Sequence, residues 1–272
     1  MPEGPEIRRA ADLVAQALVG DVVTTVRFGL PALRREAPRL QGQRVIDVET
    51  RGKAMLTHFD HGWSIYSHNQ LYGVWRVCAG QDLPRTNRSL RLLLQTRDNS
   101  AILYSASDIS VWRTAELHSH PFLARLGPDI MNANLDWRNI ASRLQSPQFR
   151  GRTLASLYLD QGFLAGIGNY LRTEILFDAG LHPLRRAAEL GVGERGRLAR
   201  STLSISRRSY QTGGITLRPG LMRSLQKAGA SYEMRRFALF GRSGKPCYRC
   251  GSPIIREEIG SRRIYWCTAC QL

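Results

Sequence analysis

Lysine is scarce in this chain of 272 residues. Only Lys53, Lys227 and Lys245 stand among its 39 basic residues, and all the others are arginines. Arginine can serve every phosphate contact, but it stays charged and does not readily give up a proton. A lysine retained in such a chain is therefore a mild indication of amine chemistry.

Long apolar runs are also missing. No stretch approaches the roughly 18 apolar residues that a membrane-spanning helix needs. The first ten residues, MPEGPEIRRA, contain two Glu and two Arg and no apolar run, which is not the pattern of a secretory signal. Since 43% of the residues are apolar, the chain is not disordered either. We expect a folded cytosolic protein without membrane association.

Acidic residues are too few to balance the basic ones. There are 22 Asp and Glu against 39 Lys and Arg, which gives a net charge of +17 and a pI of about 10.6. In a folded cytosolic protein this excess predicts a polyanionic partner, most often nucleic acid. The alternative is a basic surface that only keeps the protein in solution. The length permits one large domain or two or three smaller ones.

Cysteine is rare except at the end of the chain. Of five cysteines, four lie in the last 26 residues, as the pairs Cys247/Cys250 and Cys267/Cys270 with 16 residues between the pairs. Two residues between cysteines let both thiolates meet one ion, and the spacer allows a hairpin, so this spacing predicts a structural tetrahedral zinc site. Two disulfides are the alternative, which a reducing cytosol disfavours. Cys78 stands alone and is expected to be a buried core thiol.

The periodicity predicts a mixed α and β chain. Residues 5–19 show helical spacing, with Pro5 suited to the first turn and Gly20 to the end. Short alternating segments then predict an antiparallel sandwich or barrel. The candidate strands are 21–28, 44–50, 54–59, 64–67, 74–78, 91–96 and 101–105.

Helical periodicity returns from about residue 135. The stretch Gly166-Ile167-Gly168-Asn169 precedes a second helix that reads YLRTEILFDAG. Glycines before a helix leave backbone amides open to an anion, so the stretch from Gly166 to Arg172 is a candidate phosphate site. The alternative is an ordinary connection between two helices.

Six motifs together carry a more specific message. They are PEGPE, RGKAML, YSHNQLYGVW, HPFLARLGPD, LDQGFLAGIGNYLRTEILF and the terminal CxxC…CxxCQ. With these motifs the chain resembles, over essentially its whole length, the bacterial DNA glycosylase/AP lyases of the formamidopyrimidine and endonuclease VIII family. The Gln70-Leu71-Tyr72 triplet is typical of the endonuclease VIII branch.

The resemblance implies an α+β multidomain fold. Its expected parts are an N-terminal antiparallel β-sandwich with an N-terminal helix over 1–125, a helix–two-turn–helix domain over 126–236 and a zinc-finger β-hairpin over 237–272. The expected cofactor is one structural zinc ion, and the expected partner is damaged double-stranded DNA, bound by a monomer. The expected location is the bacterial cytoplasm, where DNA binding would associate the chain with the nucleoid.

The resemblance also implies an activity, namely a bifunctional glycosylase/AP lyase that excises oxidised pyrimidines and nicks the strand by β,δ-elimination. Two alternatives stay open. One is a formamidopyrimidine-type enzyme for oxidised purines, and the other is a non-catalytic damaged-DNA-binding protein on the same scaffold. The expected mechanism needs Met1 removed, because the nucleophile would be the secondary amine of Pro2.

The family's site residues transfer to matching positions in this chain. Pro2, Glu3, Lys53 and Arg262 are the expected catalytic residues, with possible support from Glu6 and Glu174; for Glu174 the alternative is a structural charge partner. The expected DNA contacts are Gln70, Leu71, Tyr72, Arg125 and Asn169, where a core-packed strand-end loop is the alternative for the triplet. Thr268 and Ala269 depart from the usual final CxxC, and residues 185–235 match less well, which puts substrate preference in doubt.

Overall fold

The computed structural model describes residues 2–272 and divides into two compact units, 1–125 and 126–272. Met1, on whose removal the expected mechanism depends, lies outside the described residues. The further division at 236/237 stays a prediction. None of the helices found in residues 2–272 is long and apolar enough to cross a membrane.

The first unit opens with a helix and continues with strands. Helix α1 (Gly4–Leu18) lies within one residue of the predicted bounds at each end, and a short helix α2 (Ala37–Leu40) follows the first strand. The strands are β1 (Thr25–Phe28), β2 (Val45–Arg51), β3 (Ala54–Phe59), β4 (Trp63–His68), β5 (Val74–Ala79), β6 (Leu90–Gln95), β7 (Asn99–Tyr104) and β8 (Asp108–Arg113).

These strands form two antiparallel four-stranded sheets with the orders β1-β6-β7-β5 and β2-β3-β4-β8. The predicted α+β class with an N-terminal sandwich is confirmed. Strand β8 was not predicted, because only three residues separate it from β7 and none of them is Gly or Pro. Ser105 makes that bend instead, with a φ of 56°.

The core of this unit lies between the two sheets and is closed by α1. Ile7, Val14 and Leu18, all at most 1% exposed, pack with residues of both sheets. Since α1 contributes its whole apolar stripe to this core, the residues at its amino end are held by the sandwich. The prediction for Cys78 was wrong: it lies half-buried on the edge strand β5, with its Sγ 3.5 Å from the carbonyl oxygen of Asp82.

The second unit is helical and ends in a hairpin. Its helices are α3 (Trp137–Arg143), α4 (Leu154–Leu157), α5 (Asn169–Ala179), α6 (Val192–Thr212) and α7 (Pro219–Lys227), followed by the strands β9 (Ile254–Ile259) and β10 (Arg262–Cys267). Helix α5 is buried at nine of its eleven positions and ends at Gly180, which has a φ of 67°. A polar side chain inside such a helix needs a hydrogen-bond partner.

The hairpin belongs to the core of the second unit. Ile264 and Trp266 of β10 pack with the helical core, and Tyr265 packs on the opposite face with Phe177 and Leu239. This alternation follows from the two-residue period of a strand whose two faces are both covered. The hairpin is therefore fixed to α5 rather than projecting as a separate arm.

Candidate functional site

The amino end of the chain is fixed by the cap of α1. Glu3 is the N-cap residue, is 3% exposed, and donates its N–H to the Glu6 carboxylate at 3.1 Å. Pro2 precedes it and is half-buried. The Glu3 carboxylate thus stands at the positive end of a helix dipole, and Glu6 has a structural task that accounts for it. A contribution of Glu6 to chemistry stays a prediction.

Lys53 lies in the tight turn between β2 and β3. Arg51 pairs with Ala54, so Gly52 and Lys53 form a two-residue loop, and Gly52 has the φ of 63° that such a turn requires. Lys53 is half-buried, and its charge acts on His68, the last residue of β4. Burial lowers the pKa of His68, and the Lys53 charge lowers it further while Asp108 raises it. The hairpin turn and the end of β4 therefore meet at one end of the sheet.

Residues 69–73, which we call the exposed turn, follow β4 directly. Gln70 has a φ of 52°, and the Gly73 N–H closes the turn on the Asn69 carbonyl oxygen at 2.8 Å. Leu71 is 52% exposed and Tyr72 is 71% exposed. Two large apolar side chains at the tip of a hydrogen-bonded turn are not core packing, so the core-packed alternative for this triplet is excluded.

Replacing Gly73 by Ala is expected to distort the exposed turn. An added Cβ would lie 2.4 Å from the carbonyl oxygen of Asn69, which is backbone that the turn itself hydrogen-bonds. We expect the free energy of unfolding of the first unit to fall by about 1–3 kcal/mol, as overpacking does, measured by urea denaturation. Gly151, where an added methyl group meets open space, is the matched control. Equal stability of the two Ala variants would contradict the described turn.

Asn169 occupies the first position of α5, after Gly166 with a φ of 101° and the N-cap Gly168. Its Oδ1 accepts a hydrogen bond from Arg172 at 2.6 Å. Because a guanidinium only donates, this contact leaves the Asn169 amide group as a donor for an external acceptor. The turn thus presents a side-chain donor at the amino end of a helix, where the helix dipole favours an anion.

The sequence pattern placed Arg172 in the candidate phosphate site, which is corrected by the structure, because the side chain has no exposed surface to offer a phosphate. It also donates to the carbonyl oxygen of Ala155 at 3.0 Å and to that of Arg263 at 3.0 Å. One buried cation therefore joins Asn169 to the hairpin strand β10. The sequence carries no signal of this burial, because the stretch NYLRTEILF also contains Asn169, Thr173 and Glu174.

Arg262 is the first residue of β10 and is exposed. Gly260 and Ser261 form the turn before it, with φ values of 56° and 58°, the pair of left-handed residues that a tight hairpin favours. The turn contains only these two residues, so Arg262 and Arg263 begin the strand. Since Arg172 holds the carbonyl group of the next residue, Arg262 has a fixed backbone.

Glu174 is 1% exposed and accepts four hydrogen bonds. Its carboxylate receives the backbone N–H groups of Ala238, Leu239 and Phe240 at 2.8–2.9 Å and the Thr216 hydroxyl at 2.7 Å. Burial raises the pKa of Glu174, and the hydrogen bonds oppose that shift. The geometry gives this residue the structural task of anchoring the segment before the hairpin; support of the reacting site stays a prediction.

Replacing Glu174 by Ala is expected to destabilise the second unit by about 3–5 kcal/mol, because it removes a fully buried carboxylate that accepts from three consecutive backbone N–H groups and from the Thr216 hydroxyl. Urea denaturation followed by circular dichroism measures this loss. Glu257 is an exposed carboxylate on β9, and its Ala variant should change stability by no more than about 0.5 kcal/mol. A loss below 1 kcal/mol for the Glu174 variant would show that the segment is held by other contacts.

Arg125 ends the first unit, in a short 3₁₀ turn, Leu123–Arg125. Its side chain is exposed and donates Nε–H to the Pro121 carbonyl oxygen at 2.8 Å. This bond fixes the Nε side of the guanidinium and leaves its two terminal nitrogen atoms toward solvent. Such a pair of donors suits a phosphate.

The four terminal cysteines form one cluster. Their sulfur atoms all lie within 4.8 Å of one another, with 3.3 Å between Cys250 and Cys267 and 4.0 Å between Cys247 and Cys270. Sulfur atoms that each lie about 2.3 Å from a tetrahedral zinc ion are about 3.8 Å apart, whereas the two sulfur atoms of a disulfide are about 2.0 Å apart. All four thiols are free of disulfides, and hydrogen bonds from Ser252 lower the pKa of Cys250 to about 6. The residues fit one metal ion.

The predicted site residues fall into two groups. Pro2, Glu3, Glu6, Lys53, the 70–72 triplet and Arg125 belong to the first unit; Asn169, Glu174, Arg262 and the four cysteines belong to the second. In the first group, the α1 cap holds Glu3, and Lys53 lies in the hairpin turn at one end of the sheet. In the second group, Arg172 joins Asn169 to the strand that begins with Arg262. Chemically, the first group offers an amine, a carboxylate and an exposed apolar tip, and the second offers anion-binding donors.

Comparison with known proteins relates this geometry to characterised sequences. The family profile of the formamidopyrimidine-DNA glycosylase N-terminal domain matches residues 1–107, and the profile of the formamidopyrimidine-DNA glycosylase H2TH domain matches residues 126–219. The chain is 49% identical over 271 residues to Endonuclease 8 of Shigella sonnei (strain Ss046) and 48% identical to Endonuclease 8 of Escherichia coli (strain K12 / DH10B). In both cases the match covers 100% of each chain.

Solved structures show the same fold. Lactococcus lactis Fpg in complex with N7-benzyl-Fapy-dG-containing DNA superposes with a TM-score of 0.82 at 21% identity, covering 99% of each chain. The same protein in complex with DNA containing an abasic site gives a TM-score of 0.81 at 20% identity, again covering 99% of each chain.

Proposed function

The chain belongs to the formamidopyrimidine-DNA glycosylase and endonuclease 8 family, whose members are DNA glycosylases with AP lyase activity, and from this premise we propose that it excises oxidised pyrimidines from duplex DNA and cleaves the strand by β,δ-elimination. The observation that carries the substrate class is the exposed turn. Its Gln70-Leu71-Tyr72 triplet is typical of the endonuclease VIII branch, and its apolar tip is built to enter a base stack. The proposed setting is the bacterial cytoplasm, with the chain acting as a monomer on nucleoid DNA.

The proposed nucleophile is the secondary amine of Pro2, available once Met1 has been removed. The amine attacks the anomeric carbon of the damaged nucleoside, and the bond from that carbon to the base breaks as the base takes up a proton. The proline nitrogen then gives up its own proton, the bond from the anomeric carbon to the sugar ring oxygen breaks with protonation of that oxygen, and an iminium links enzyme and opened sugar. A covalent intermediate of this kind splits one difficult step into two easier ones. The iminium acidifies the adjacent sugar proton, so the 3′ phosphate leaves by β-elimination and the 5′ phosphate follows by δ-elimination.

Glu3 is the proposed proton shuttle beside that amine. Its buried carboxylate is fixed by the α1 cap, next in sequence to the nucleophile, so it can give a proton to the departing group and take one back later. Lys53, held in its tight hairpin turn, is the proposed cation for the leaving phosphate or base. Its position beside the exposed turn supports this, because both lie at the same sheet end as His68.

The second unit is proposed to hold the DNA backbone. Asn169 would donate to a phosphate oxygen, and Arg262 would clamp the phosphate that leaves, since arginine is a poor proton donor. Arg125, at the end of the first unit, would bind a further phosphate. The proposed ion in the four-cysteine cluster is zinc, whose chemistry there is to supply folding free energy to the hairpin that carries Arg262.

The decisive experiment compares lesions in otherwise identical duplexes. Single-turnover excision of thymine glycol should exceed that of 8-oxoguanine by at least about tenfold, a discrimination of about 1.4 kcal/mol, and the nicked product should end in phosphate on both sides of the gap. The opposite ranking would establish the oxidised-purine alternative. Binding to both duplexes with cleavage of neither would establish the non-catalytic alternative.

A further inference from the structure

Three side chains outside the assigned site hold the exposed turn. The Gln70 N–H donates to Nδ1 of His68 at 3.0 Å, and the Ser107 hydroxyl donates to Oε1 of Gln70 at 2.8 Å. Arg88 donates to the carbonyl oxygen of Tyr72 at 2.9 Å. Together these bonds fix the backbone at both ends of the tip and one side chain within it.

Two of the three contacts come from segments distant in sequence, and the third, from His68, comes from the strand residue directly before the turn. His68 ends β4, Arg88 precedes β6, and Ser107 lies between β7 and β8, 37 residues from Gln70 in sequence. A turn held only by its own hydrogen bonds could pivot about its two ends. The contacts of Arg88 and Ser107, which are 16 and 37 residues away from their partners in sequence, instead fix it against the body of the unit, and the His68 contact adds a local hydrogen bond at its first end.

The apolar tip needs such support, because Leu71 and Tyr72 have little of their own. Both side chains are more than half exposed, so packing does not set their direction. Inserting a mobile loop into a base stack adds the loss of its conformational freedom to the cost of unstacking. A loop that is already ordered avoids the first of these costs.

We propose that His68, Arg88 and Ser107 are positioning residues that keep the exposed turn in the conformation that enters duplex DNA. The inference rests on the proposed function, since it assigns these residues a part in lesion engagement. They touch neither the reacting sugar nor the base, and they act through Gln70 and Tyr72. Removing one of these side chains weakens binding to DNA into which the apolar tip must insert, and leaves binding to the DNA backbone unchanged.

The test is the Ser107→Ala variant, which removes one hydroxyl from an exposed position. We would measure affinity for a duplex containing a tetrahydrofuran abasic analogue and for the matched undamaged duplex. The variant should bind the analogue about 3- to 10-fold more weakly, the size of one hydrogen bond, with undamaged-duplex affinity within twofold. Ser107→Thr keeps a hydroxyl and should restore the analogue affinity to within twofold.

The outcomes separate the inference from the proposed function. If the wild type shows no preference for the analogue, the proposed function fails. If the wild type prefers it and Ser107→Ala keeps that preference within twofold, the inference fails while the function stands. If the variant weakens binding to both duplexes alike, the hydroxyl has a merely structural role, which also overturns the inference.

A pH profile tests the His68 contact separately. Protonation turns Nδ1 of His68 from an acceptor into a donor. The hydrogen bond from the Gln70 N–H is therefore lost when the pH falls below the pKa of His68. Burial lowers that pKa from its ordinary value, the Lys53 charge lowers it further and Asp108 opposes them, so the contact is present at neutral pH and is lost only at a pH more acidic than that at which an ordinary histidine is protonated. The wild-type preference for the analogue should fall there.

The matched variant is His68→Asn, whose side-chain oxygen can accept from the N–H two residues on without titrating. Its preference for the analogue should stay flat over the acidic range in which the wild-type preference declines. A wild-type preference that does not change, or a parallel decline in the Asn variant, would remove His68 from the set of positioning residues.

Discussion

Replacing Glu3 by Gln is expected to lower single-turnover excision of thymine glycol by about 10²- to 10⁴-fold, the range for removing a positioned general acid or base. The amide keeps the size of the side chain and can still accept hydrogen bonds at the α1 cap, but it has no proton to transfer. Burial of Glu3 at 3% exposure leaves little room for water to replace it. Quenched-flow or gel assays of the nicked product measure the rate.

The neighbouring carboxylate provides the matched control. Glu6 stands one helical turn away and caps the Glu3 N–H, a contact that an amide oxygen can also make. Glu6→Gln should therefore retain excision to within about threefold, the loss of one weak interaction. Borohydride should trap Pro2 of the wild type on abasic DNA, with the adduct located by peptide mass. A Glu3 variant that keeps more than a tenth of the wild-type rate, or an adduct at Lys53, would contradict the proposed roles.

Loss of the metal site has the second large effect. Replacing Cys267 by Ser should abolish stoichiometric zinc and lower strand cleavage by at least about 100-fold, because a structural zinc contributes about 10–16 kcal/mol to the fold of a small site. Cys267 has no exposed surface and lies at the end of β10, so the hairpin that carries Arg262 would lose its anchor. Metal analysis of the purified protein and single-turnover cleavage measure the two effects.

Cys78→Ser is the control, since Cys78 lies on β5 in the other unit and outside the cluster. It should keep one zinc ion per chain and wild-type cleavage. A Cys267 variant that holds one zinc per chain would show that three thiolates suffice. A zinc-free variant that still cleaves normally would show that the hairpin folds without the ion.

Local sequence patterns correctly predicted those elements that depend only on residues close together in the sequence. The stripe Ile7, Val14 and Leu18 gave α1 to within one residue, and the CxxC spacing gave the cysteine cluster, because each depends on residues close in sequence. Strand β8 was missed because a serine, not a glycine, makes the bend before it. The sandwich itself followed from several short strands with turn residues between them.

What the sequence could not predict depends on contacts between distant segments. A charged residue in a helix is ordinarily assigned to the surface, so Arg172 gave no sign that it is buried and bonded to Arg263, 91 residues away. The same holds for the bond between Ser107 and Gln70. The motifs predicted the expected site residues. The side chains that hold those residues in place, such as Arg172 and Ser107, could be identified only from the three-dimensional structure.

The buried guanidinium of Arg172 has a consequence for ionic strength. Exposed arginines attract DNA through solvent, and dissolved salt screens that attraction over about 8–10 Å. A cation without exposed surface is screened far less, and Arg172 stands directly behind the Asn169 amide. As salt rises, the broad attraction of the basic surface should fade first. If a phosphate binds at Asn169 as proposed, its contact should be the last to weaken, so that at high salt the remaining DNA binding would depend mainly on the position of that one phosphate.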